Sequence, residues 1–164
     1  MRKKAIFNCS TRPQKIKQLP SCVNLMPIKY TNDDIINITI FEKITRTHVV
    51  DYANENNTLY FVVKTNNFKN LIGKNGIEIK KLQKKMNQNI IIYKHTENAE
   101  EFTKNMLPIP AKKITLIENN QQKTITIETE KRNKGLLIGR GGKNINIIKI
   151  FLKRQFNIDN IKIE

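Results

Sequence analysis

The sequence predicts an α+β fold built from two small copies in tandem. A glycine-rich segment occurs twice, because residues 71–76 (LIGKNG) and residues 137–142 (LIGRGG) share one pattern. The spacing of apolar residues around each segment predicts the same order of elements: helix, strand, strand, helix, glycine loop, helix, strand. With 164 residues, the chain has room for two such domains. Domains of about 65 residues have thin cores, so we expect the two copies to pack together.

Residues 1–30 are predicted to form a basic flexible arm, followed by a first domain at 31–95 and a second at 96–164. The arm contains cations and prolines but no acid, and its apolar run is too short for a signal peptide. Both cysteines, Cys9 and Cys22, fall in this arm. A zinc site needs further ligands that the arm lacks, so we expect reduced thiols and no metal or other cofactor.

In the first copy, Thr31 or Asn32 is predicted to cap a helix, with Asp33 and Asp34 favourable at its positive end. The expected apolar face of this helix consists of Ile36, Ile40, Phe41 and Ile44. Strands are predicted at 48–52 and 58–63 around a polar turn, with helices at 66–72 and 77–87 and a closing strand at 90–93.

In the second copy, Thr96 is predicted to cap a helix that carries Phe102 and Met106 on one face. Strands are expected at 113–118, 123–129 and 161–163, and a short helix at 131–138. The long helix after the second glycine loop has apolar residues on more than one side. We therefore expect its surplus apolar face to pack on the first copy.

The glycine loops carry the chemistry of a phosphate-binding site. Each has the pattern Gly-x-x-Gly with a cation, Lys74 or Arg140, at the first variable position. Glycines let a ligand approach backbone N–H groups closely, and the following helix places its positive end at the same point. This pattern is typical of the loop with which KH domains hold the backbone of about four nucleotides of single-stranded RNA. A chance turn would not repeat the cation, the preceding Leu-Ile pair and the helix pattern together.

The candidate RNA-binding residues comprise the loops, the aliphatic residues beside them and two neighbouring lysines. They are Gly73, Lys74, Asn75, Gly76, Gly139, Arg140, Gly141, Gly142, Ile72, Ile79, Ile138, Ile145, Lys80 and Lys143. The four isoleucines could line a groove for bases or could belong to the core.

The formal net charge of +16 favours a polyanionic partner. Cations surround both glycine loops, whereas from 131 to 158 there is no acid at all. A charge run is often only a solvated helix face, but this segregation favours a basic binding face.

An enzyme is not expected. A Walker A motif fails because Asn144 follows the Gly-Lys pair and Leu137 replaces the required earlier glycine. Both serines, Ser10 and Ser21, lie in the arm, so no serine triad can form from ordered elements. No segment approaches the roughly 18 apolar residues of a membrane helix, and a cytoplasmic protein without a small-molecule substrate is expected.

The element order resembles the type II KH fold, and residues 31–164 resemble the archaeal NusA-like transcription factors. The matching segments include residues 40–45, 71–76, 134–142 and 156–159, of which 134–142 is the most specific. The resemblance implies a tandem-KH RNA-binding protein acting in transcription elongation, pausing, termination or antitermination, with single-stranded RNA and RNA polymerase as partners. Two other roles stay open: a KH protein of ribosome assembly or RNA processing, and an adaptor that contacts RNA polymerase or the ribosome with RNA contact secondary.

Overall fold

The computed structural model describes residues 29–119 and 122–164, and the arm predicted at 1–30, with both cysteines, lies almost entirely outside them. The chain folds into two three-stranded sheets with helices, a mixed α+β architecture. The elements are α1 (Asn32–Thr45), β1 (His48–Glu55), β2 (Thr58–Lys64), α2 (Phe68–Ile72), α3 (Ile77–Met86), β3 (Asn89–Lys94), α4 (Ala99–Met106), β4 (Lys113–Asn119), β5 (Gln122–Glu128), α5 (Lys134–Ile138), α6 (Lys143–Phe156) and β6 (Asn160–Ile163). Elements α1 to β3 are called the first repeat, and elements α4 to β6 the second repeat.

Each repeat has the same sheet topology. In the first repeat, β1 pairs antiparallel with β2, and β2 pairs parallel with β3. The hairpin closes through Asn56 and Asn57, both at positive φ, as a two-residue turn that follows the twist of the strands requires. A parallel pair needs a crossover, and α2, the glycine loop and α3 supply it. The second repeat orders β4, β5 and β6 in the same way.

Strand β2 lies at the centre of the molecule, because its residues from Thr58 to Val63 are all buried. Side chains alternate between the two faces of a strand. Leu59, Phe61 and Val63 belong to the core of the first repeat, whereas Tyr60 and Val62 belong to the cluster that includes the second repeat. One strand therefore serves two cores.

Helix α6 contributes apolar side chains to this contact. Ile147, Ile148, Phe151 and Leu152 are buried in the cluster that contains Tyr60 and Val62. The ring of Phe151 also meets that of Tyr93, in β3, edge to face with centroids 6.3 Å apart. The contact expected between the surplus apolar face of this helix and the first repeat is thus present.

The N-cap predicted for α1 in the first repeat is confirmed, whereas the one predicted for α4 in the second repeat is wrong. Thr31, one of the two expected caps, is the N-cap of α1, and it also forms a reciprocal capping box with Asp34 that was not predicted. Helix α4 begins later than predicted, since Asn98 and not Thr96 is the N-cap; its side chain accepts hydrogen bonds from the N–H groups of Glu100 and Glu101. Asn is at least as good a cap as Thr, and the helix takes the cap nearest its apolar face.

The apolar face predicted for α1 is wrong in part. Phe41 is fully buried and stacks on Phe61 with centroids 4.0 Å apart. Ile36 and Ile44 are 54% and 41% exposed, and the helix packs through Phe41 and Ile38 instead. Isoleucines outnumber the positions that one small sheet can cover, so spacing alone did not identify the buried ones.

Candidate nucleic-acid interface

The first glycine loop joins α2 to α3 through a single 3₁₀ turn, Lys74–Gly76. Gly73 ends α2 at φ 72° and ψ 172°, a conformation that is almost exclusive to glycine. A Cβ at Gly73 would lie 2.9 Å from Cγ of Glu78 and 3.3 Å from its backbone N. Gly76 then opens α3 at φ 73°. The two framing glycines are therefore required by the backbone itself.

The second glycine loop repeats this geometry. Gly139 has φ 76° and ψ 167°, and Gly142 opens α6 at φ 75°. A Cβ at Gly139 would lie 2.8 Å from Cγ of Asn144. The framing glycines of the second loop therefore match those of the first, and Gly141 between them has a φ of 62°. The two loops are thus structural equivalents and not merely similar strings of sequence.

Helices α3 and α6 begin at glycines, so no N-cap side chain covers the first turn of either helix. The N–H groups of Ile77 and Lys143 donate to the carbonyls of Lys74 and Arg140 within the 3₁₀ turns. The other N–H groups of a helix's first turn carry partial positive charge and have no partner within the helix, so they suit an anion. The cations Lys74 and Arg140 stand beside these helix starts, and both side chains are exposed. Each loop therefore combines N–H donors, a helix dipole and a mobile cation, the features that suit a phosphate group.

The first loop borders a cleft that includes Ile72, Gly73 and Lys74, together with Lys69 and Asn70 from α2. The same cleft is lined by Glu78, whose carboxylate accepts a hydrogen bond from Nζ of Lys81 over 2.9 Å. The corresponding residue in the second repeat is the neutral Asn144, which donates from Nδ2 to the carbonyl of Leu136 over 3.1 Å. At this position, therefore, the first loop has a carboxylate that opposes an anion and the second loop has a neutral amide.

The second loop borders a cleft formed by both repeats. Arg140, Gly141, Lys143, Asn146 and Ile147 come from the second repeat, and Glu55 and Asn56 come from the hairpin of the first. Nζ of Lys143 donates a hydrogen bond to Oγ1 of Thr58 over 3.2 Å, which holds the hairpin against the start of α6.

The structure places the two predicted lysines differently from the loops' own cations. Lys143 is half-buried and already bonded to Thr58, so it is less available to a ligand than its sequence position suggested. Lys80 lies away from the first loop, in a cleft with Asn57, Lys84 and Asn89. Lys80 and Lys143 are close to the glycine loops in the sequence, but neither side chain lies free at its loop in the structure.

The four candidate isoleucines divide into two kinds. Ile72 lines the first cleft, and Ile138 is 39% exposed beside the second loop. Ile79 is half-buried and packs against the core of the first repeat. Ile145 is also half-buried, with Cγ2 3.9 Å from the position of a Cβ at Gly142. Ile72 and Ile138 are therefore the better placed for contact with a base.

The sequence did not indicate that Glu55, Asn56 and Asn146 line the second cleft, nor that Lys69 and Asn70 line the first. The segment around Glu55 indicates only a turn. No local signal shows that the hairpin of one repeat lies beside the loop of the other. Among the described residues, no group of three His, Cys, Asp or Glu side chains is placed to hold a metal ion. None of the helices described is long and apolar enough to cross a membrane.

The mixed α+β fold, with its glycine loops between paired helices and its small three-stranded sheets, is consistent with KH domains. The chain is 29% identical over 139 residues to the probable transcription termination protein NusA of Methanococcus vannielii, an alignment that covers 84% of this chain and 80% of the relative. Proteins of the same name from Halococcus morrhuae and Thermoplasma acidophilum are 25% and 26% identical, with 84% of this chain covered and 99% and 96% of the relatives.

Among solved structures, the crystal structure of APE1850 matches with a TM-score of 0.68 and 28% identity, covering 82% of this chain and all of that one. No protein-family model matches the chain. The resemblance to archaeal NusA proteins, inferred from the glycine loops and the segments around them, is confirmed.

Proposed function

We propose that the protein is a NusA-like transcription factor that binds single-stranded RNA through its two glycine loops. The observation that supports this most strongly is the occurrence of two equivalent loops, each with an exposed cation at an uncapped helix start, in a chain similar to NusA proteins over most of its length. The relatives are described as probable transcription termination proteins. For this chain we propose a role in elongation, termination or antitermination, and we regard it as a cytoplasmic binding protein and not an enzyme.

In this proposal each repeat is a type II KH domain, with the first at 31–95 and the second at 96–164, after a basic arm at 1–30. The order helix, strand, strand, helix, loop, helix, strand supports this assignment, as does the parallel pairing of the last strand in each repeat. The shared core and the Lys143–Thr58 hydrogen bond hold the two loops on one body. Two weak sites on one body bind a single strand more tightly than either alone.

Each loop would bind the RNA backbone in the same way. Phosphate oxygens accept hydrogen bonds from N–H groups at the start of α3 or α6, and Lys74 or Arg140 neutralises the phosphate charge. Bases then lie over the neighbouring side chains, among them Ile72 in the first cleft and Ile138 beside the second loop. Phosphate contacts position the strand, whereas contacts to base edges determine which sequence is preferred.

The test compares RNA binding by the wild type with that of Lys74→Asp, Arg140→Asp and the double variant, at several salt concentrations. Each substitution puts an acid where a phosphate should lie and leaves the framing glycines intact. We expect about a tenfold loss for each single variant, a larger loss for the double variant, and a salt slope that flattens by about one per lost contact. Gly141 is left unchanged because its φ of 62° would strain any other side chain.

Lys104→Asp provides a matched control, because it changes net charge equally on the exposed surface of α4. If it weakens binding as much as the loop variants do, overall charge and not the loops carries the affinity. If all three loop variants bind like wild type while remaining folded, the loops are structural turns. The adaptor role that the sequence leaves open would then be favoured.

The transcriptional role needs a separate measurement. Adding the wild type to a purified RNA polymerase transcribing a template with a terminator should change the fraction of terminated transcripts, and the double loop variant should not. RNA binding that depends on the loops without any effect on transcription would favour the role in ribosome assembly or RNA processing.

A further inference from the structure

The cleft beside the second loop, about 400 Å³, combines side chains that a plain phosphate site would not contain. Arg140 supplies a cation at the loop, but Glu55 and Asn56 of the first repeat line the same cleft, and Asn146 of α6 completes its polar lining. A site built only for phosphate gains nothing from a carboxylate, because the two anions repel each other. The carboxylate of Glu55 therefore suits a partner other than the phosphate that the loop would bind.

The position of Glu55 is fixed by structure on both sides. Glu55 pairs with Thr58 at the end of the hairpin, and Thr58 accepts the hydrogen bond from Lys143. The turn between β1 and β2 is also stabilised by a side-chain hydrogen bond, in which Nε2 of Gln88 donates to Oδ1 of Asn57 over 3.3 Å. The carboxylate is thus presented on an ordered turn, while its side chain remains exposed and available.

A carboxylate only accepts hydrogen bonds, so it favours a partner with N–H donors. Among nucleobases, guanine presents two adjacent donors on its Watson–Crick edge, at N1 and N2, which match the two oxygens of one carboxylate. Adenine and cytosine offer one amino group each. Uracil offers a single N–H flanked by two carbonyl oxygens, which face a carboxylate unfavourably.

We propose that this cleft is a base-recognition site in which Glu55, from the first repeat, selects guanine in RNA bound by the second loop. This inference depends on the proposed function, because the second loop must hold the neighbouring phosphate. Arg140 positions the strand, Glu55 accepts from the guanine edge, and Asn56 and Asn146 supply amides for the remaining polar atoms of the base. The preference falls in the order guanine, then adenine and cytosine, then uracil.

The experiment measures the binding of four 12-nucleotide RNAs, U₁₂, (UUG)₄, (UUA)₄ and (UUC)₄, to the full chain by fluorescence anisotropy. Wild type should bind (UUG)₄ about tenfold more tightly than U₁₂, within the range that one bidentate base contact provides. Glu55→Gln should reduce this ratio to near one. Glu118→Gln is the matched control: it removes an exposed carboxylate from the hairpin of the second repeat, where Glu118 accepts from Lys123, and should leave the ratio unchanged.

The inference would be overturned by a wild type that binds all four RNAs alike, or by a guanine preference that survives in Glu55→Gln. A uniform gain in affinity for all four RNAs in Glu55→Gln would also overturn it, because Glu55 would then act only by repelling phosphate. Arg140→Asp, measured with the same RNAs, separates this failure from that of the proposed function. If Arg140→Asp binds every RNA as tightly as wild type does, the second loop is not a clamp and the proposed function fails first.

Discussion

Arg154 of the second repeat satisfies a buried carboxylate of the first. Its Nη1 donates to Oδ1 of Asp51 over 3.1 Å and to the carbonyl of Tyr52 over 2.9 Å, and the side chain of Asp51 is 0% exposed. Gln155 donates from Nε2 to Oδ2 of Asp51 over 3.0 Å, and Tyr30 donates its hydroxyl to Oδ1 over 3.2 Å. Burial of the phenol and the adjacent Asp51 carboxylate raise the pKa of Tyr30 to about 12. The charge of Asp51 can therefore stay buried only while α6 remains packed on the first repeat.

Arg154→Met should destabilise the protein by about 2 kcal/mol, because it leaves the carboxylate of Asp51 buried without its cation. Tyr30, Gln155 and the N–H of Tyr52 still donate to that carboxylate, which keeps the loss below that of a fully stranded charge. Urea unfolding measures the loss. In a double-mutant cycle with Asp51→Asn, the two substitutions should be coupled by at least about 1 kcal/mol.

Lys123→Met, at an exposed ion pair, is the control for Arg154→Met. Lys123 and Glu118 approach within 2.7 Å, closer than Arg154 and Asp51, yet both side chains are largely exposed. Such pairs contribute about 0 to 1 kcal/mol. If Lys123→Met lowered the free energy of unfolding as much as Arg154→Met does, the burial of Asp51 would add nothing to the stabilising effect of its ion pair.

Gly139→Ala and Gly135→Ala, four residues apart, should change stability in opposite directions. Gly139 has φ 76° and no room for a Cβ, so its alanine variant should lose about 3 kcal/mol from backbone strain and the contact with Asn144. Gly135 lies within α5, where a Cβ would meet nothing within 4 Å, and its alanine variant should gain about 0.5 kcal/mol. Thermal unfolding of the two variants gives the comparison, and equal effects of one sign would contradict the geometry.

The elements that the sequence predicted well are those whose signals are local. The helix cap at Thr31, the glycine loops and the paired hairpins depend on residues within a few positions of one another. The boundaries of α3 and the strands shifted by one to three residues, as is usual at frayed ends.

Three features that the sequence did not predict depend on contacts between the repeats. Glu55 lies beside Arg140, Lys143 bonds to Thr58, and Arg154 reaches Asp51, three relationships that join residues about 85 to 103 positions apart. No periodicity or motif encodes such pairings, because they follow from how two finished folds pack. For the same reason, Lys143 looked like a free cation in the sequence but is half-buried at the contact in the structure.

Glu78→Gln should strengthen RNA binding by the first loop. Glu78 lines the cleft with Gly73 and Lys74, and its side chain is half exposed, so its charge is partly screened by water. Removing that charge should raise affinity about threefold at low salt, with the gain disappearing as salt increases. Fluorescence anisotropy titrations with RNA at three salt concentrations test this prediction, which depends on the proposed RNA binding.

Glu97→Gln is the matched control for Glu78→Gln, because it removes an exposed carboxylate paired only loosely with Lys64, at 3.9 Å. It should leave affinity nearly unchanged. A gain in Glu97→Gln equal to that in Glu78→Gln would mean that the change in net charge, and not the position of Glu78, is responsible.

His95 should make stability depend on pH near neutrality. The residue follows β3, its backbone N–H donates to the carbonyl of Val63 over 2.8 Å, and its ring lies 6.0 Å from that of Phe102. Within the described part of the chain, the buried Nδ1 of His95 has no hydrogen-bond partner. Burial lowers the pKa of His95, and the nearby charge of Lys64 lowers it further, while Glu97 opposes this in part.

A folded-state pKa below the unfolded value of about 6.5 means that the unfolded chain binds more protons in the interval between the two. The contribution of a neutral His95 to stability is therefore complete above about pH 6.5 and is lost as pH falls through the folded-state pKa. The free energy of unfolding of the wild type should decrease between pH 7.5 and 5.5, and His95→Phe should flatten that decrease, because phenylalanine keeps the ring beside Phe102 without titrating. Urea unfolding at each pH provides the measurement, with His48→Gln as the control at an exposed histidine beside Glu42. If the decrease in the free energy of unfolding flattened in His48→Gln and not in His95→Phe, the pH dependence would come from the surface histidine and the role assigned to His95 would be wrong.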